Sequence, residues 1–142
     1  MKKNLILITL SIVLGIAFTF FILNKQNAYA KEEYLVYAFQ VGAFSENDNA
    51  KEYSKKLPAS IIYKEDDLYK VYVAIYKDID IINKMVVYFE NNNINVYLKN
   101  INVSKEFYNS LNNYEEIIKK SDNSIYDKIN QSILNNFLES NK

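Results

Sequence analysis

The sequence predicts an α+β domain whose elements follow the order βαββαβ, led by an apolar segment and followed by two further amphipathic helices. Three observations carry this. Stretches with a two-residue alternation and many β-branched and aromatic residues alternate with stretches of helical period. Turn-forming residues separate them. From Ser104 onward only the helical period remains.

Residues 5–23, from Leu5 to Leu23, are Leu, Ile, Val, Phe and Ala, relieved by Thr9, Ser11, Gly15 and Thr19. As a helix this run covers roughly 28 Å, near the thickness of a bilayer core. Lys2 and Lys3 precede it, so the positive-inside rule leaves Met1 in the cytoplasm and sends the remainder outside. Ala28-Tyr29-Ala30 has the small-x-small form of a signal-peptidase site. Residues 1–24 are therefore a transmembrane anchor or a signal segment. The first makes a single-pass cell-membrane protein with an extracytoplasmic C-terminal part; the second, cleaved after Ala30, makes a secreted one. Residues 25–33 form a short linker. Without a lipobox cysteine, a lipoprotein is excluded.

Tyr34 to Phe44 reads as the first strand, dense in residues that fit a pleated, half-buried surface. Alternation places Leu35, Tyr37, Phe39 and Val41 on a face expected to be core, and Val36, Ala38 and Gln40 on the other. Gln40 is the one polar break in this run. Ser45 with Asp48 resembles a capping box for a helix of about three turns carrying Ala50, Tyr53 and Leu57, which Pro58 ends. Ser60 to Glu65 and Leu68 to Tyr76 make a hairpin around Asp66-Asp67. Asp78 or Asp80 caps the next helix, with an apolar stripe of Ile81, Ile82, Met85, Val86 and Phe89, and Asn91-Asn92-Asn93 closes it. Ile94 to Ile101 is the fourth strand, with Ile94, Val96 and Leu98 opposite Asn95, Tyr97 and Lys99. Two amphipathic helices follow, one with Phe107, Leu111, Tyr114 and Ile118, the other with Tyr126, Ile129, Ile133 and Phe137. Ser121 to Ser124 separates them. They are too apolar to stand alone, and pack on the domain, on each other or on a partner.

Composition removes several function classes. The chain of 142 residues has no Cys, His or Trp. Thiolate and imidazole metal sites, disulfides, cysteine nucleophiles and histidine acid/base catalysis are excluded, and no cofactor is expected. Every basic residue is Lys, and Asn, Ile and Tyr abound, as an AT-rich genome would give. The net charge is zero, but Lys2, Lys3 and Lys25 fall in or beside the apolar segment. The exported part is thus slightly acidic, which argues against a nucleic-acid surface.

Residues 35–103 resemble the SPOR domain family, the sporulation-related repeat. The resemblance rests on Tyr37-Ala-Phe-Gln-Val-Gly-Ala-Phe-Ser45 with Ala50 and Leu57, on Leu68-Tyr-Lys-Val-Tyr-Val73, and on Ile94-Asn-Val-Tyr97. It covers about half of the chain, and only the first segment is fairly specific. It implies a four-stranded antiparallel sheet with two helices on one face, a SPOR-like domain over 34–103 and a helical extension over 104–142. It also implies a non-catalytic module that binds peptidoglycan glycan strands stripped of stem peptides, across the open face of the sheet, in division or sporulation. Under that resemblance Gln40 matches the first-strand glutamine, Ala43 the small residue after it, and Lys70 and Tyr72 positions where basic residues are frequent. Tyr97 supplies a stacking aromatic, with Lys99 beside it on the last strand. The third strand departs from the family's Gly-Pro-Phe ending with Ala74-Ile75-Tyr76. The linker also allows at most roughly 35 Å of reach from a membrane.

Other readings stand beside this one. Gln40 is also explained as a strand amide bonded to a loop, and Tyr72 and Tyr97 as cross-strand neighbours. A structural component of a membrane complex, binding a protein through the terminal helices, is the rival function. Asp66-Asp67 and Glu115-Glu116 read as solvated pairs, unsuited to glycosidase chemistry. RNA binding follows from topology alone and conflicts with export and the acidic balance.

Overall fold

A computed structural model describes residues 34–141. The expected anchor or signal segment and the linker lie outside the described residues. Four strands, β1 (Tyr34–Phe44), β2 (Ile61–Glu65), β3 (Leu68–Tyr76) and β4 (Tyr97–Val103), form one sheet in the order β2-β3-β1-β4. Every neighbouring pair is antiparallel. Helices α1 (Asn47–Ser54) and α2 (Ile79–Asn91) fall between the strands as expected, and α3 (Lys105–Lys120) and α4 (Tyr126–Ser140) follow them.

Local chemistry explains most boundaries. Asp66 and Asp67 both take positive φ, 50° and 60°, which gives the β2–β3 hairpin a two-residue turn of the type whose twist matches its strands. The Asp78 carboxylate caps α2 by accepting from the N–H groups of Asp80 and Ile81. At the other end of α2, Asn93 adopts φ 57°. Its N–H bonds the Glu90 carbonyl at 3.0 Å, and the N–H of Ile94 bonds that of Phe89 at 2.9 Å. This is the Schellman closure, and it takes up the residues with which β4 was expected to begin. That strand accordingly starts three residues later than its alternation suggested. Ser104 caps α3 by accepting from the N–H of Phe107 at 3.1 Å, and Asp122 caps the short 3-10 turn Asn123–Ile125 that leads into α4.

Two local expectations fail. The capping box at Ser45 does not form: α1 begins at Asn47 behind Glu46, which makes no side-chain cap bond, so Ser45 lies one residue too early. The helix has two turns rather than three. In β1 the expected core face is inverted in its first half. Leu35 is 52% exposed and Tyr37 37% exposed, whereas Val36 and Ala38 are fully buried. Alternation says which residues share a face; it does not say which face another element will cover. Here α3 packs against β1, and its residues lie some seventy positions away.

Gly42 fits its place for a steric reason: a Cβ there would meet the Phe44 ring at 2.8 Å. That ring packs on Tyr53 of α1, with centroids 5.4 Å apart.

The helical extension is built into the same core as the sheet. Phe107, Leu111 and Ile118 of α3 and Tyr126, Ile133, Leu134 and Phe137 of α4 are buried in one cluster with β1 and β3. Helix α4 runs against β3 and β2, and α3 against β1 and α4. In β3, all six residues from Val71 to Tyr76 are buried. Consecutive strand residues point to opposite sides, so the sheet is covered on both faces along β3. The expected single layer of helices beneath an open sheet is thus corrected at its centre.

Two buried polar side chains tie the extension down. Glu115 of α3, expected to be solvated with Glu116, is only 4% exposed. Its carboxylate accepts from the N–H groups of Lys77 at 2.8 Å and Asp78 at 2.9 Å, just ahead of α2. Asn130 of α4 accepts from the Tyr76 hydroxyl at 2.6 Å.

Candidate functional site

The six residues singled out by sequence fall into an accessible group and a covered one. On β1 and β4, Gln40 stands opposite Tyr97, and Lys99 opposite Ala38. Strand pairing therefore brings Gln40, Tyr97 and Lys99 onto one side, within one short patch. Tyr97 is 66% exposed, and Lys99 and Ala43 are exposed too. Gln40 is half-buried, and its Oε1 is enclosed without a hydrogen-bond partner.

Lys70 and Tyr72, on the neighbouring strand β3, are spoken for. The Lys70 ammonium pairs with Glu65 and lies 3.8 Å from Asp66. Tyr72 is 1% exposed. Its ring stacks on Tyr63 with centroids 6.3 Å apart, and Tyr63 in turn meets Phe137 of α4 at 5.2 Å. Burial, followed by the Glu65 carboxylate, pushes the Tyr72 hydroxyl well above the usual phenol range. A ligand reaches Tyr72 only if α4 leaves.

Sequence reasoning missed one exposed patch. Leu35, Tyr37 and Leu98 share a side, since Phe39 between them pairs with Leu98, and Asn100 and Asn102 complete the row. Their period looked like core, but among the described residues no helix covers this part of β1 and β4.

A second concave region holds no uncommitted charge. It is bounded by Lys77, Asp78, Tyr108, Glu115, Glu116 and Lys119. Lys119 pairs with Asp78 at 2.8 Å and with Glu116 at 3.8 Å. The Lys77 ammonium donates to the Tyr108 carbonyl at 2.9 Å and sits 3.9 Å above the Tyr108 ring centroid. The hydrogen bond from Lys119 holds the Asp78 carboxyl below the usual carboxylate range, helped by the N–H groups of Asp80 and Ile81. Among the described residues no group of three acidic side chains is placed to hold a metal ion.

No protein-family model matches the chain, and no curated protein matches it. Among solved structures, the chain is similar to the peptidoglycan binding domain of the B. subtilis cell wall lytic enzyme CwlC, known from a solution structure. The two are 23% identical over 47% of this chain and 90% of that one, with a TM-score of 0.40. A score of that size is too low to establish a common fold.

The accessible patch offers defined chemistry. An exposed tyrosine presents an apolar ring face to sugar C–H groups and a hydroxyl to sugar hydroxyls. An exposed lysine beside it attracts a carboxylate. Nothing in the patch supplies an acid and base pair flanking a reacting bond.

Proposed function

We propose that the chain is a non-catalytic binding module of the bacterial cell envelope. It recognises peptidoglycan glycan strands stripped of their stem peptides through the Gln40, Tyr97 and Lys99 side of β1 and β4. In this reading residues 5–23 direct the described domain out of the cytoplasm, and the module serves division or sporulation. The observation that carries it is the exposure of Tyr97 opposite Gln40, with the exposed Lys99 ammonium two residues on. A stripped strand carries alternating N-acetylated sugars, half of them with a lactyl carboxylate, and so matches a ring and an ammonium side by side.

The test is retention of the full chain on peptidoglycan before and after amidase treatment. Retention should rise after treatment, and Tyr97→Ala should reduce it by about tenfold or more. Equal, negligible retention on both materials would sink the reading.

A second reading has an observation of its own. The apolar stripes of α3 and α4 are consumed inside the molecule, so they do not supply the protein contact that the rival function needs. The patch of Leu35, Tyr37 and Leu98, beside the sheet-edge strand β4, would have to supply it instead. Introducing charge with Tyr37→Lys would then abolish a complex while leaving glycan retention intact.

A further inference from the structure

A polar cleft adjoins the Tyr97 patch, and apart from Tyr97 its residues were not among those picked out for binding by sequence. It has a volume of about 620 Å³ and lies between the loop after α1 and the loop joining α2 to β4. Tyr97 belongs to both, so the cleft adjoins the patch on the sheet. Lys56, Asn93, Asn95 and Asp127 supply polar groups around it.

Most of these groups are uncommitted among the described residues. Lys56, Asn93, Asn95 and Tyr97 are exposed, and their side chains make no hydrogen bond or ion pair among the described residues. Asp127 is fixed through one oxygen only, which accepts from the Tyr88 hydroxyl at 2.9 Å. The backbone that presents the amides is itself rigidly set, because Asn93 is locked in the left-handed conformation by the closure of α2. A ring, two side-chain amides, a carboxylate and an ammonium around one concavity can bond hydroxyl and acetamido groups from several directions.

We infer that this cleft is a saccharide subsite that extends the sheet patch, taking the sugars of an amino-sugar oligomer that lie beyond the unit stacked on Tyr97. Asn93 and Asn95 bond hydroxyl and acetamido groups, Asp127 accepts from a hydroxyl, and Lys56 pairs with a carboxylate on the strand. This rests on the glycan reading proposed above, and it adds a dependence on ligand length that the patch alone does not give.

The experiment compares binding of the full chain to amidase-released glycan oligomers of defined size, a disaccharide and an octasaccharide. The double variant Asn93→Gly with Asn95→Ala removes both amides and keeps the positive φ at position 93 accessible. In the parent chain the octasaccharide should bind at least about tenfold tighter than the disaccharide, and the double variant should lose that advantage. Lys56→Gln should weaken the octasaccharide selectively and reduce its salt dependence. Independently of any variant, the octasaccharide should shift the side-chain amide resonances of Asn93 and Asn95 in a nitrogen–proton NMR spectrum, and the disaccharide should not. Length dependence that survives the double variant, or unshifted Asn93 and Asn95 amides, overturns the cleft assignment. If those resonances stay still while Tyr97→Ala abolishes retention, the patch reading stands and the subsite alone is refuted. No binding of either oligomer by the parent chain refutes both.

Discussion

Replacing Glu115 by Ala removes the acceptor for two backbone N–H groups at the join between β3 and α2. The bonds are 2.8 Å and 2.9 Å long and the acceptor is a buried carboxylate. Hydrogen bonds to a charged group are worth about 1.5–3 kcal/mol each, and leaving a buried donor unpaired costs about 1–3 kcal/mol. Lys77 and Asp78 are only half-buried, so water replaces part of the loss. The expected destabilisation is about 2–4 kcal/mol, which for a domain of this size corresponds to a fall in Tm of about 10–20 °C. Glu115→Gln keeps a carbonyl acceptor of the same shape and should lose about half as much. Urea titrations of the three chains, followed by circular dichroism, give the differences directly. Because Glu115 docks α3, and α3 packs with α4 over the sheet, hydrogen exchange of the β3 amides should accelerate in the Ala variant as well. A change below about 0.5 kcal/mol would refute the argument that this carboxylate anchors the extension.

Three further outcomes are expected. Burial raises the hydroxyls of Tyr72 and Tyr76 far above the usual range, and burial with the Asp127 hydrogen bond pushes Tyr88 up to about 12. Their contribution is fully present below the unfolded phenol value of about 10 and is lost as pH rises through the folded values; absorbance at 295 nm should show these phenols ionising only as the chain unfolds. The Asp78 carboxyl is depressed, so its contribution is present above about pH 4 and lost as pH falls through its folded value. Asp78→Asn retains a good N-cap residue and should therefore destabilise at neutral pH but not in acid, as thermal melts across pH will show. Replacing Asp66-Asp67 with Asn-Gly suits the two positive φ angles and should raise the urea midpoint, by about 0.5–1 kcal/mol of stability.

Where a feature depends on a few adjacent residues, the sequence was enough to read it. The span of β1, the hairpin at Asp66-Asp67, an aspartate cap at 78 or 80, the asparagine closure of α2 and the stripes of α3 and α4 all follow from short-range sterics and period. Strand order added the opposition of Gln40 and Tyr97, which no local pattern contains. The two largest departures, the burial of Tyr72 and the exposure of Leu35 and Tyr37, have one cause. A strand alternates in any environment, and whether each side becomes core is decided by what packs on it. Here α4 supplies Phe137 over Tyr63 and Tyr72, while among the described residues no helix buries Leu35, Tyr37 and Leu98. Glu115 was misread for the same reason, since two unpaired N–H groups beside α2 make a buried carboxylate favourable only once α3 is docked. The sequence by itself thus determined the elements and their order, because these are settled by the backbone within a few residues. Only the tertiary structure decided which of the six candidate residues stay accessible, because that depends on contacts between β3 and α4, whose residues lie fifty or more positions away.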